Sequence, residues 1–365
     1  MGSVRCVKCH FSYPEDSAPY RCPRCDGVFD FDPFPSFDSN KITPAATGMW
    51  RYENMFGLPV GNPQVTLGEG NTPLLWLEAE GEAVGLKCEH LNPTGSYKDR
   101  GSAVLVSHLM GRNVRLAVED SSGNAGASFA AYAARAGIKA RVFVPESASG
   151  PKRKQIEQYG AELIRVPGPR SEAAKAVRQQ ADAGISYASH AYLPFGLAGI
   201  AAIAYEIWEQ MGRNAPGSII APVGHGGLLL GVVRGFDALH AAGLISKQPY
   251  YVGVQAAACA PIVQAFDAGK SEPEMVAEQA TLAEGVRVNT PIRGTALLNA
   301  LSNNQGTFIS VVEEEILPAY AELGKCGIYV EPTSALAWCA RKLLNGKIPG
   351  PVVAILTGTG LKYGE

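Results

Sequence analysis

Hydrophobic and polar positions change period repeatedly along this chain. Short runs rich in β-branched residues fall at Gly85–His90, Val114–Glu119, Ala140–Pro145, Glu162–Val166, Ser218–Val223, Tyr250–Gln255 and Val352–Leu356. Between them lie longer Ala-rich amphipathic stretches: Ala125–Ala136, Ser149–Tyr159, Ser171–Ala183, Gly199–Met211 and Leu229–Ala242, with a further helix over 101–110. Strand–helix alternation of this kind predicts an α/β fold with a mostly parallel sheet. In such sheets ligands gather at the carboxyl ends of strands, where loops meet helix N-termini. Gly- and Ser-rich loops directly after strands should therefore carry the chemistry.

Three loops meet that condition. Asp120-Ser121-Ser122-Gly123-Asn124-Ala125-Gly126 precedes an Ala-rich helix. It is either an anion-binding helix start or an ordinary turn capped by Ser and Asn. Pro222-Val223-Gly224-His225-Gly226-Gly227-Leu228 carries three glycines in four residues and can form a nest of N–H donors around a phosphate. It is neither a Walker A loop nor a dinucleotide-binding glycine pattern. Leu356–Leu361 follows the last strand, and its Thr357 can bond a ring nitrogen or cap a turn. A fourth segment, Asn92–Gly101, contains Lys98. By position alone such a lysine is a solvated charge. Near a phosphate-bound aldehyde it can form an imine and afterwards move protons.

Composition sets the N-terminus apart. Residues 1–38 hold Cys6-x-x-Cys9 and Cys22-x-x-Cys25, then Asp30-Phe31-Asp32-Pro33-Phe34-Pro35, which has no helical or strand period and reads as a linker. The two cysteine pairs can place four thiolates tetrahedrally around a structural zinc ion, or they are a disulfide-prone, metal-free remnant. Cys88, Cys259, Cys326 and Cys339 stand among apolar neighbours as buried thiols.

The 365 residues suffice for two domains, and 46% apolar with 18% charged residues is a globular composition. A net charge of −2 argues against a nucleic-acid-wrapping protein. There is no apolar run of membrane-spanning length and no signal-peptide core, and Cys6 breaks the myristoylation pattern. A soluble cytoplasmic protein is expected.

Taken together, the loops resemble the threonine synthase branch of the fold-type II pyridoxal-phosphate enzymes. Gly68-Glu69-Gly70-Asn71-Thr72-Pro73-Leu74 is similar to that branch's G-E-G-x-T-P-L opening, and Asn92–Gly101 to its cofactor-lysine motif. Ser122-Gly123-Asn124 matches its S/T-G-N loop, while Glu331–Ala335 and Thr357–Lys362 are similar to its closing segments. The resemblance implies two open, mostly parallel α/β domains behind a zinc-ribbon-like extension. It implies that Lys98 holds pyridoxal 5'-phosphate and moves the substrate α-proton, and that Asn124 meets the ring hydroxyl. Ser121, Ser122, Gly123, Asn124 and Ala125 would receive the substrate carboxylate. The N–H groups of Gly224, His225, Gly226, Gly227 and Leu228 would bind the cofactor phosphate, and Thr357 would meet the pyridine nitrogen. Asp99 and Arg100 read as structural. Some members also begin with a cysteine knuckle, which fits zinc on Cys6, Cys9, Cys22 and Cys25.

One segment departs from the pattern. Threonine synthases carry a stretch resembling S-x-N-P-x-R-x-x-G-Q-K-T, whose Asn and Arg help hold the phosphate of O-phosphohomoserine. Here it reads Ala191–Ala198, with Leu193 at the Asn position, Gly196 at the Arg position and Ala201-Ala202 for Lys-Thr. His225 and Leu228 stand where the family usually has Asn. Without an Arg fork a buried dianion loses its strongest donors, at a cost on the order of several kcal/mol. The expected reaction is therefore elimination or replacement at the β or γ carbon of serine, threonine or an activated hydroxy-amino acid. The alternatives are a true threonine synthase whose phosphate site is rebuilt from Lys87, Arg287, Arg293 or His225, and an inactive zinc-ribbon binding protein. The expected domains are 1–38, a small mobile domain at 76–190, and a large domain of 39–75 with 191–365. The family resemblance implies a homodimer.

Overall fold

The computed structural model describes residues 3–146, 150–277, 279–303 and 305–363. Its strands, in chain order, are β1 (Val4–Cys6), β2 (Phe29–Phe31), β3 (Leu74–Ala79), β4 (Glu82–Lys87), β5 (Leu116–Glu119), β6 (Lys139–Pro145), β7 (Glu162–Val166), β8 (Ser186–Tyr187), β9 (Ser218–Pro222), β10 (Tyr250–Ala256), β11 (Gly306–Val311) and β12 (Val352–Ile355). The helices are α1 (Lys98–Gly111), α2 (Asn124–Ala136), α3 (Pro151–Gln158), α4 (Arg170–Asp182), α5 (Phe195–Gln210), α6 (Gly227–Ala241), α7 (Pro261–Asp267), α8 (Gly294–Asn303), α9 (Glu313–Lys325) and α10 (Pro332–Leu343).

The chain forms two compact units: Met1–Gly70 with Asn92–Gly199 and Lys362–Glu365, and Asn71–Leu91 with Ile200–Leu361. Contacts thus group 39–70 with the first unit, whereas the sequence reading placed that segment with the second half of the chain. The first unit holds a parallel sheet of order β7-β6-β5-β8. Helix α2 packs on α1 because its residues are small. A Cβ at Gly126 would stand 1.8 Å from the Ser121 carbonyl oxygen, so only glycine allows this turn from strand to helix. Gly137, at φ +67°, ends α2 in the left-handed conformation that a C-cap favours.

The second unit holds a sheet of order β11-β10-β9-β12-β4-β3, parallel except for the antiparallel β3–β4 pair. Glu80 and Gly81, both at positive φ, form the two-residue hairpin turn between those strands. Strands β9 and β12 are buried throughout, which explains their unbroken apolar runs. Val84, Leu86, Ile220, Val252, Val254, Leu336 and Ala354 share one core.

Three sequence expectations change. The stretch read as a linker contains β2, whose Phe29–Phe31 pair antiparallel with Cys6–Val4 and are buried. Three residues are too few to show a period, and the partner strand and the packing against Tyr13 stabilise them. The strands β1, β3, β8 and β11 lie outside the strand stretches that the sequence pattern predicts. Of the four scattered cysteines, Cys326 is exposed. The expected helix start at Ser149 lies outside the described residues, and Pro151 opens α3. No helix among the described residues is long and apolar enough to cross a membrane.

Candidate active site

In the first unit, Lys98 opens α1 rather than preceding it. Its side chain is half-buried, with Nζ 5.0 Å from the Tyr97 ring centroid. Gly95, at φ +80°, turns the preceding loop, and its N–H donates to the Asn92 carbonyl at 2.7 Å. Fully buried Asp99 accepts from the Thr94 N–H at 2.6 Å and the Thr94 hydroxyl at 2.5 Å. It also accepts from the Ser128 hydroxyl of α2 at 2.6 Å, and so ties the lysine loop to that helix. Burial pushes the Asp99 carboxyl up to about 6. Lys362 donates to the Thr94 carbonyl at 2.6 Å. Asp99 and Arg100 are both fully buried, as structural residues would be.

Ser121, Ser122 and Gly123 link β5 to α2, and Asn124 and Ala125 begin the helix. The Ser121 N–H donates to the Glu119 carboxylate, and the Gly123 N–H donates to Ser121 Oγ at 3.2 Å. Three titratable residues outside the loop read from the sequence, Glu119, Tyr187 and His190, meet it and its first residue, Asp120. Glu119 Oε1 lies 2.9 Å from His190 Nδ1, and the Tyr187 hydroxyl donates to Asp120 Oδ1 at 2.7 Å. Burial pushes Glu119 up to about 7, although the Ser121 N–H and the Arg170 and Lys98 charges oppose the shift. Burial first, and then the Lys98 charge, hold His190 well below its ordinary range. Asp120 is raised by burial and by its neighbour Glu119. The available signal was a pair of acids, Glu119-Asp120, ending an apolar strand directly before Ser-Ser-Gly-Asn.

In the second unit, the glycine loop follows β9 and runs into α6, whose first turn presents N–H groups without intrahelical partners. Gly226 sits at φ +95°, and a Cβ there would stand 3.3 Å from Arg293 Cβ. The Arg293 N–H donates to the His225 carbonyl at 3.0 Å, and a Cβ at Gly224 would meet the Gly285 carbonyl oxygen at 3.0 Å. This loop is a close-fitted backbone cradle. Thr357 follows the adjacent strand β12, so both features lie at carboxyl ends of paired strands. Its hydroxyl lies 3.0 Å from Ser334 Oγ and donates to Glu331 at 3.1 Å, among buried neighbours. These groups fit a phosphate with a heteroaromatic ring. Within the first unit, the buried Ser96 hydroxyl has no hydrogen-bond partner. Lys87 is fully buried with its three protons committed to Thr72 O, Glu206 and Gln210 at 2.7, 2.7 and 3.0 Å. It has no donor left for a substrate phosphate.

The N-terminal knuckle belongs to the first unit. Its halves share one backbone pattern: His10 N–H to Cys6 O and Asp26 N–H to Cys22 O, with His10 and Asp26 at positive φ. All four Sγ atoms lie within 4.8 Å of one another, and three pairs stand 3.3–3.5 Å apart. Four thiolates at this spacing fit one tetrahedral zinc, for which S···S is about 3.8 Å. A Cβ on Gly27 would stand 2.7 Å from Cys6 Sγ, so glycine is required.

The segment 191–198 packs beneath this knuckle. Tyr192 accepts from Arg21 at 2.8 Å, and Phe195 stacks on His108 with centroids 3.5 Å apart. Phe195 also meets Tyr13 and Phe31 edge-on. Leu193 is 1% exposed, and a Cβ on Gly196 would stand 3.3 Å from the Gly101 carbonyl oxygen.

Two mostly parallel α/β sheets, a lysine opening a helix after an N-P-T-G-S turn and a glycine cradle at a strand end are the marks of a fold-type II pyridoxal-phosphate enzyme. The family described as "Pyridoxal-phosphate dependent enzyme" matches residues 65–358, and the chain belongs to it, within its threonine synthase branch. The chain is 32% identical to the threonine synthase of Methanosarcina acetivorans over 99% of its own length and 92% of that protein. It is 34% identical to that of Methanocaldococcus jannaschii, over 98% and 92%. Among solved structures, a T.th. threonine deaminase superposes with a TM-score of 0.71 at 28% identity, covering 80% of this chain and 94% of that one. The chain is thus an elimination or replacement enzyme of the pyridoxal-phosphate class.

Proposed function

We propose that Lys98 holds the cofactor covalently and moves the α-proton of an amino acid that carries no side-chain phosphate, so that a group at its β or γ carbon is eliminated or replaced. Bound there, pyridoxal phosphate supplies an electron sink that lowers the cost of removing the α-proton. The N–H groups of Gly224, His225, Gly226, Gly227 and Leu228 bind its phosphate, and Asn124 and Thr357 orient its ring. Ser121, Ser122, Gly123, Asn124 and Ala125 receive the substrate carboxylate. A neutral Thr357 hydroxyl leaves the ring nitrogen less protonated than a carboxylate would, which suits elimination and replacement.

One observation carries the substrate reading. Where the family resemblance places a phosphate-holding Asn and Arg, the chain has buried Leu193 and a Gly196 packed on the α1 backbone. The relatives of Methanosarcina and Methanocaldococcus favour a second reading, threonine synthase itself. Incubating the cofactor-loaded protein with serine, threonine and O-phosphohomoserine in turn separates the two. Release of ammonia and a 2-oxo acid from the hydroxy-amino acids supports the first reading. Release of phosphate with threonine from O-phosphohomoserine supports the second. The resemblance further supports a cytoplasmic homodimer, which light scattering on the purified protein tests.

A further inference from the structure

The cysteine knuckle touches the body of the first unit through a short aromatic relay. Tyr20 and Arg21 directly precede Cys22. Arg21 is fastened to Asp26 at 2.6 Å, donates to the Tyr192 hydroxyl at 2.8 Å, and lies 4.8 Å above the Tyr192 ring. The Tyr20 ring packs against Tyr187 and Tyr192 at 5.1 and 5.4 Å. The segment held in this way carries two groups that reach the end of β5: the Tyr187 hydroxyl on Asp120 at 2.7 Å and His190 on Glu119 at 2.9 Å. Glu119 in turn accepts the Ser121 N–H. An unbroken chain of contacts therefore runs from the thiol cluster to Ser121, every link lying within one compact unit.

We propose that the knuckle is a positioning element for the amino-acid-binding loop. Metal on Cys6, Cys9, Cys22 and Cys25 fixes Tyr20 and Arg21, which hold Tyr187–Tyr192. Tyr187 and His190 then hold the carboxylates that set Ser121–Asn124. The functional half of this inference rests on the reading of Ser121–Asn124 as the substrate carboxylate loop; the mechanical half does not. A spacer or solubility appendage would need none of these contacts. Tyr187 and Tyr192 are buried and Tyr20, Arg21 and His190 are partly buried, so a displacement at Arg21 passes to Tyr192 through direct contacts.

Hydrogen exchange on the full-length, cofactor-loaded protein tests the inference, with zinc bound and after stripping by a chelator. Stripping should raise exchange in peptides covering 187–195 and 119–124 by about tenfold, the scale of one lost charge-assisted hydrogen bond, and leave 306–343 unchanged. Should stripping unfold the body, Arg21→Ala, which leaves the four thiolates intact, carries the comparison. Tyr187→Phe keeps the ring packing on Tyr20 but removes the hydroxyl from Asp120, and should loosen 119–124 without loosening 187–195. In parallel, the half-saturating amino-acid concentration should rise by about tenfold with little change in the maximal rate. Unchanged exchange at 119–124 in the stripped protein and in Arg21→Ala overturns the proposal. Faster exchange with unchanged half-saturation keeps the mechanical coupling and overturns the assignment of Ser121–Asn124 to substrate binding.

Discussion

Glu119 ends a strand whose other residues are apolar, and it keeps a carboxyl in that setting because Ser121 and His190 hydrogen-bond it. Its folded value of about 7 against an ordinary 4.5 means that the folded state binds more protons across that window. Its contribution to stability therefore falls as pH rises from about 4.5 to 7 and is flat above. His190, held neutral, acts in the opposite sense up to its ordinary 6.5, so comparison with Glu119→Gln isolates the carboxyl. Between pH 5 and 8 the variant should gain about 2–3 kcal/mol relative to the parent, read from urea midpoints. Asp99, raised to about 6, imposes the same direction on both proteins and cancels. At Lys98 the prediction is chemical. Lys98→Ala should lose the visible band of lysine-bound cofactor and roughly a thousandfold in rate, checked by absorbance and turnover. Lys98 and the glycine loop were legible because their motifs are local in sequence. Glu119 and His190 were not, since they meet only where β8 pairs with β5.

Among elements, the Ala-rich helices and central strands could be read from the sequence because packing and local pattern agree there. β3 could not be read, because this edge strand is half exposed and shows no clean alternation. β2 gains its order from β1 and from the knuckle's rings rather than from its own three residues. Phe195 anchors that interface on α5, stacked on His108. Phe195→Ala should cost about 3–5 kcal/mol, measured by denaturant unfolding. The cradle before α6 depends on a left-handed residue. Gly226→Ala places a Cβ at φ +95° and 3.3 Å from Arg293 Cβ. Left-handed backbone costs about 1–2 kcal/mol, so cofactor dissociation should rise by about tenfold, followed by dialysis against buffer lacking it.

At the scale of the whole molecule, the family and the motifs agree on the cofactor, and the proposed substrate reading rests on Leu193 and Gly196, which stand where the family resemblance places a phosphate-holding Asn and Arg. Lys87, one of the cations that could have rebuilt that function, is committed to Glu206, Gln210 and Thr72. The segment 191–198 packs against the knuckle. Its tyrosine and phenylalanine pack against Arg21, Tyr13 and Phe31. The substrate reading follows from these commitments and not from the fold, which also serves deaminase and synthase relatives. The most direct test is a visible-absorbance titration of the cofactor-loaded protein with O-phosphohomoserine, with released phosphate assayed alongside, and then with serine and threonine. The account predicts a band that O-phosphohomoserine leaves unmoved and that serine or threonine shifts. A shift with O-phosphohomoserine, accompanied by phosphate and threonine, would contradict it.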